Sequence, residues 1–163
     1  MYVLIATMMG ILRNLNNLKK EHLTIMTQEE IQLLLVDLSA RLPYGVICKV
    51  KYILNNETTY GEDIEKECTD IVKRIYFDNY TVYTEWLGQE CDVEDIKPYL
   101  RSMSSMTEEE KEELYQKTGF KIDDYFLGLS AIDWLNAHHF DYRGLIERDL
   151  AIAVTKENPY ERK

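Results

Sequence analysis

A chain of 163 residues has the length of one domain. Such a domain buries roughly two-thirds of its unfolded surface and needs neither a metal nor a disulfide to close its core. The composition is 45% apolar and 29% charged, with 12 Tyr, 4 Phe and 2 Trp, which is too apolar and aromatic for a disordered chain, and the net charge of −10 argues against non-specific nucleic-acid binding.

Met1 to Leu12 is apolar but only about a dozen residues long, where a membrane-spanning helix needs ~20. It lacks the positive first region and small-residue cleavage site of a signal peptide, and no later stretch is long enough to span, so no membrane partner is expected. Arg13, Lys19 and Lys20 against Glu21 leave the first 25 residues at +2 and the remainder at −12. Cys48, Cys68 and Cys91 are odd in number and widely spaced. They suggest neither a disulfide framework nor a metal knuckle, and the cytoplasm suits them best.

Thr27-Gln28-Glu29-Glu30 is a capping box, with Met26 and Ile31 placed for a hydrophobic staple. Ile31, Leu34, Leu35 and Leu38 follow at helical spacing, and Pro43 ends the helix. This helix needs nothing from residues 1–25. Met26 is therefore the expected true start, with residues 1–25 translated upstream sequence or a loosely attached extension. A rival reading makes residues 1–25 an amphipathic helix or an added strand at Tyr2 to Ile5.

Val46, Cys48 and Val50 alternate with Ile47, Lys49 and Lys51, then Tyr52-Ile53-Leu54 leads to an Asn55-Asn56 turn. Glu62 to Cys68 is ambiguous. Ile71–Phe77 and Tyr80–Trp86 read as strands joined by an Asp78-Asn79 hairpin turn, with Gly88 ending the sheet. Residues 95–100, broken by Pro98, read as a connector with one helical turn. Thr107 to Glu110 is a second capping box, opening a surface helix that closes at Gly119. Asp123 or Asp124 is expected to cap the most apolar helix, running to His139 with Tyr125, Leu129 and Ile132 on its stripe and Leu127, Ala131, Trp134 and Leu135 widening it. A short helix and a final strand, Leu150 to Val154, follow. The expectation is one α+β domain over residues 26–157 and a frayed tail over 158–163. Its small curved antiparallel sheet has three to five strands, covered by an N-terminal helix and two C-terminal helices, with the 125–139 helix as the buried spine.

His138-His139-Phe140-Asp141 is the sharpest chemical candidate. Histidine is the usual general base near neutral pH, and a carboxylate stands two residues on. Adjacent helical residues point about 100° apart, however, so the pair does not chelate as an i, i+4 pair would. The structural alternative is a helix end followed by a turn through Asp141 that orients Tyr142 and Arg143. Tyr44, Trp134, Tyr142 and Arg143 are candidates for binding a ligand or partner, and Asp133, Asp141 and Arg143 for an ion pair. Trp86, Tyr76, Tyr80 and Tyr83 read as sheet and hairpin packing. No GxSxG elbow, P-loop or GxGxxG is present, and no metal or cofactor is expected.

Residues 26–46, ending in Leu42-Pro43-Tyr44-Gly45-Val46, resemble the start of an uncharacterised family of small proteins from gut anaerobic bacteria and their phages. Residues 98–107 (Pro-Tyr-Leu-Arg-Ser-Met-Ser-Ser-Met-Thr) and 132–146 (Ile-Asp-Trp-Leu-Asn-Ala-His-His-Phe-Asp-Tyr-Arg-Gly-Leu-Ile) resemble two further blocks of it. The resemblance implies a bacterial cytosolic or phage-encoded protein with a start near Met26, and carries over no catalytic role.

The functional expectation is a non-enzymatic binding protein, engaging a host protein or another copy of itself, or sequestering a small ligand. The alternative is a small hydrolase or phosphodiesterase using His138, His139 and Asp141. The intact mass of natively expressed protein checks the start: a chain beginning at Met26 is expected, and a mass that includes Met1 overturns it.

Overall fold

The computed structural model describes residues 26–54, 64–119, 128–155 and 158–161. The readings for residues 1–25, the Asn55-Asn56 turn, the Asp123 or Asp124 cap, Tyr125 and Leu127 lie outside the described residues. Among the described residues the fold is mixed helix and sheet, with three α-helices and one open sheet of six strands. The helices are α1 (Gln28–Arg41), α2 (Glu108–Thr118) and α3 (Leu129–Ala137). The strands are β1 (Ile47–Leu54), β2 (Ile64–Tyr76), β3 (Thr81–Thr84), β4 (Glu90–Asp92), β5 (Ile96–Leu100) and β6 (Ile152–Ala153), in spatial order β4-β3-β2-β1-β5-β6. All neighbours are antiparallel except β5 and β6, which run parallel.

The sheet is strongly coiled, and chain length requires it. β4 and β5 stand four strand spacings apart, about 19 Å if the sheet were flat. Only a 3-10 turn, Val93–Asp95, joins Asp92 to Ile96, and four residue steps reach at most about 14 Å. The two strands must therefore curl toward each other, and α1 lies within the curl. Ile31, Leu34, Leu35 and Leu38 bury against Val46, Cys48 and Val50 of the first strand region, Val72 and Val82 of the middle strands, and Val93 and Ile96 of the crossing. Each such aliphatic side chain contributes roughly 1.5–3 kcal/mol of burial. Both arms of the capping box are formed: Thr27 Oγ1 accepts from the Glu30 amide at 3.2 Å and Glu30 Oε2 accepts from the Thr27 amide at 2.7 Å.

Several expectations are corrected. Among the described residues the sheet has six strands rather than three to five, because Gly88, at φ +63°, turns the chain back into β4 instead of ending the sheet. Residues 96–100 form a strand despite Pro98. The Val72 amide donates to Val46 O, so by antiparallel alternation the backbone groups of Cys48 face β2 and those of Pro98, its partner on β5, face away from β1. The missing Pro98 N–H therefore costs that ladder nothing.

The 129–137 helix is not the spine. It starts at Leu129, which is 88% exposed, with Gly128 as its N-cap, and it packs Ala131, Trp134 and Leu135 into a separate cluster with Met106, Leu114 and Phe140. The helix at 108–118 keeps to the surface as expected, closing at Gly119 and burying only Leu114.

The last described turn is docked rather than frayed. The Tyr160 hydroxyl accepts from the Ile47 amide at 3.2 Å and donates to Tyr99 O at 2.9 Å. It takes the place of the ladder hydrogen bond that the next β1–β5 pair would make. Tyr160→Phe leaves both backbone groups without that partner. It is expected to cost about 1–3 kcal/mol in urea unfolding and to speed amide exchange at Ile47.

Candidate functional site

The residues singled out between 133 and 143 gather at the C-terminal end of α3, and the backbone there is a Schellman motif. The Phe140 amide donates to Leu135 O at 2.9 Å and the His139 amide to Asn136 O at 3.1 Å. His139 fills the left-handed position at φ +57°, where glycine is usual and histidine is one of the better-tolerated alternatives. Phe140 then bridges in parallel to Arg101: the Arg101 amide donates to His139 O at 2.8 Å and the Asp141 amide to Arg101 O at 2.7 Å.

This motif turns the two imidazoles toward different partners. His138 stacks on Trp134 at 3.8 Å between centroids, its Nδ1 lying 2.8 Å from Trp134 O. Trp134 in turn stacks on Phe140, whose other neighbour is the Arg101 guanidinium at 4.2 Å, itself paired twice with Glu110. His139 is buried and stacks on Tyr160 at 3.7 Å. Burial lowers its pKa to about 3, helped by the positive charge of Arg41, His138 and Arg101, so it stands neutral. Asp141 spends both oxygens on the following turn, accepting from the Leu145 amide at 2.9 Å and the Ile146 amide at 2.8 Å.

The binding candidates surround a buried ion pair that sequence reading missed. Asp37 and Arg41, one helical turn apart on α1, are both fully buried and paired at 2.7 and 2.9 Å, and Arg41 also donates to Phe140 O at 2.8 Å. Arg143 stands 3.3 Å from the same carboxylate, and the Tyr142 ring lies within 5.7 Å of the Arg41 guanidinium and 4.9 Å of that of Arg143. Tyr142 donates to Asn136 Oδ1 at 3.1 Å, and Tyr44 to Asp133 Oδ1 at 2.8 Å, which raises the Tyr44 pKa. Arg143 thus pairs with Asp37, not with Asp133 or Asp141 as sequence proximity suggested. The i, i+4 spacing of Asp37 and Arg41 was a readable signal, but their burial depends on the 140–143 turn closing over α1.

A second carboxylate organises the other end of the sheet. Asp70 is buried on β2 and accepts three amide hydrogen bonds, from Ile71 at 2.7 Å and from Trp86 and Leu87 at 2.9 Å each. Burial raises its pKa, but the three amides outweigh that and hold it below the usual carboxylate range. Trp86, read from sequence as packing, is 78% exposed on the turn that Asp70 holds. The readable signal was its place between Glu85 and Leu87-Gly88, where the strand alternation stops.

Among the described residues, no group of three or more His, Cys, Asp or Glu side chains is placed to hold a metal ion, and no helix is long and apolar enough to cross a membrane. No protein-family model, curated protein or solved structure matches this chain.

The depressed His139 pKa makes stability depend on pH with a definite sign. Unfolded chains take up a proton near pH 6.5 that the folded chain refuses down to about 3. Stability is therefore expected to fall as pH drops from about 6.5 toward 3, with a slope approaching 1.4 kcal/mol per pH unit. The carboxylate contribution of Asp70 is lost only below about pH 4. Denaturant unfolding of His139→Gln between pH 6.5 and 4.5 is expected to show a clearly flatter slope than the parent chain.

Proposed function

We propose that this domain is a non-enzymatic binding protein that engages a protein partner through Trp86. The observation that carries the reading is an indole 78% exposed on a turn whose amides a buried carboxylate holds in place. Covering a large apolar side chain recovers roughly 2–3 kcal/mol, and a turn already fixed loses little freedom on binding. Exposed tryptophans on rigid supports are frequent interface anchors. The commitments at the 138–141 turn support the same reading. Both Asp141 oxygens cap backbone amides, and the two imidazoles stack on different rings. A hydrolase would draw these three groups to one substrate. A partner in a bacterial cell is in keeping with the resemblance to proteins of gut anaerobes and their phages.

Trp86→Ala is expected to leave the unfolding midpoint nearly unchanged and to abolish capture of the partner from the native host, whereas His138→Gln leaves capture intact. Capture that survives Trp86→Ala but is lost in His138→Gln, with the fold preserved, overturns this reading in favour of the enzyme.

A further inference from the structure

β2 is thirteen residues long, yet β3 covers only its second half. The β2–β3 register runs from Val72 opposite Thr84 to Tyr76 opposite Thr81, and is broken by a bulge between Val72 and Arg74. β1 pairs with the first half without interruption, from Leu54 opposite Ile64 to Ile47 opposite Ile71. Among the described residues, the side of β2 turned away from β1 therefore has no strand partner from Ile64 to Thr69. Four of these residues in a row, Ile64 to Glu67, are exposed.

The direction of the backbone groups follows from two hydrogen bonds. The Val72 amide points to β1, donating to Val46 O at 3.1 Å, while the Ile71 carbonyl points the other way, accepting from the Glu85 amide at 3.0 Å. Antiparallel pairing alternates these directions residue by residue. Glu65, Glu67 and Thr69 thus each aim an N–H and a C=O at the open edge. The edge ends at Ile71, whose amide is taken by the Asp70 carboxylate at 2.7 Å. That same carboxylate holds the Trp86 amide, so Trp86 stands where the open stretch begins. A strand laid along residues 65–69 would continue the line of β3 past the 85–87 turn and end beside Trp86.

An open edge is a template for a further strand, and its side chains select the occupant. Residues opposite Glu65 and Glu67 would share their face of the sheet, where a cation is favourable and a carboxylate is not. On this face Glu67 is already paired with Lys49 and lies near Lys51, while Asp95 lies close enough to Glu65 for the two to repel, so the preference for a cation rests chiefly on Glu65. A second copy of the chain, pairing antiparallel through the same edge, would set Glu65 and Glu67 against their own counterparts. We propose that a basic, extended segment of a partner protein adds to β2 along Glu65–Thr69, with Trp86 at its end. This rests on the binding reading above and supplies its surface and the chemistry of its partner.

The test uses a synthetic peptide of about eight residues alternating Lys and Thr, and a control alternating Glu and Thr, titrated into the full chain with residue-resolved amide exchange. The Lys peptide is expected to bind, slowing exchange at Glu65, Glu67 and Thr69 while Ile71, already bonded to Asp70, stays unchanged. Glu65→Lys combined with Glu67→Lys is expected to weaken the Lys peptide about ten-fold and to transfer preference to the Glu peptide, which shows that the variant edge is still folded. Equal binding of both peptides, no binding of the Lys peptide, or binding without protection at the three amides overturns the proposal, as does sedimentation showing that the chain already pairs with itself through this edge. If Trp86→Ala abolishes partner capture while the peptides do nothing, the binding reading stands and strand addition fails. If the Lys peptide adds to the edge while capture ignores Trp86, the reverse holds.

Discussion

The short crossing from Asp92 to Ile96 is the constraint on which the architecture depends. Three residues of 3-10 turn cannot span four strand spacings of a flat sheet, so the sheet must coil until β4 approaches β5. Coiling creates the concavity that α1 fills, and it is why Val93, on the crossing itself, belongs to the same buried cluster as Leu34 and Leu38. It also sets the two ends of β2 to different uses. One half is paired on both sides within the coil, while the other projects beyond β3 with one edge unpaired among the described residues.

Buried carboxylates do much of the local positioning. Asp70 gathers three amides at the turn that presents Trp86, Asp141 two at the turn after the histidines, and Asp37 two hydrogen bonds from the guanidinium of Arg41. Removing a carboxylate from water is costly, and it is sustained only where several donors converge on it. The Asp37–Arg41 pair ties α1 to Phe140 O, and so links the N-terminal helix to the segment that ends α3. Arg41 Nη1 and His139 Nδ1 are buried without a hydrogen-bond partner among the described residues.

The candidate site was partly legible. The reading of His138 and His139 as a helix end is what the Schellman hydrogen bonds describe, and Asp141 does govern a turn, though the one at Leu145 and Ile146. Tyr142 and Arg143 were read as binding candidates, and their neighbours Asp37 and Arg41 lie about a hundred residues away, so no local pattern announces such a contact. Trp86 was misjudged because aromatic residues at a strand end read as packing. Its exposure is set by Asp70, sixteen residues earlier, which holds the turn.

What the sequence by itself determined was local. Two capping boxes, the 31-34-35-38 stripe, the hairpin at residues 77–80 and the α+β class all follow from spacing and side-chain chemistry within a few residues. Only the tertiary structure decided which helix fills the sheet, because an apolar stripe states that a helix face will be buried and not against what. The broad composition of the 129–137 helix pointed to the core, yet among the described residues it is α1 that fills the curl, leading directly through Gly45 into β1. Which edge stays open, and which tryptophan faces water, likewise depend on strand pairings between distant residues, whose register no local preference encodes.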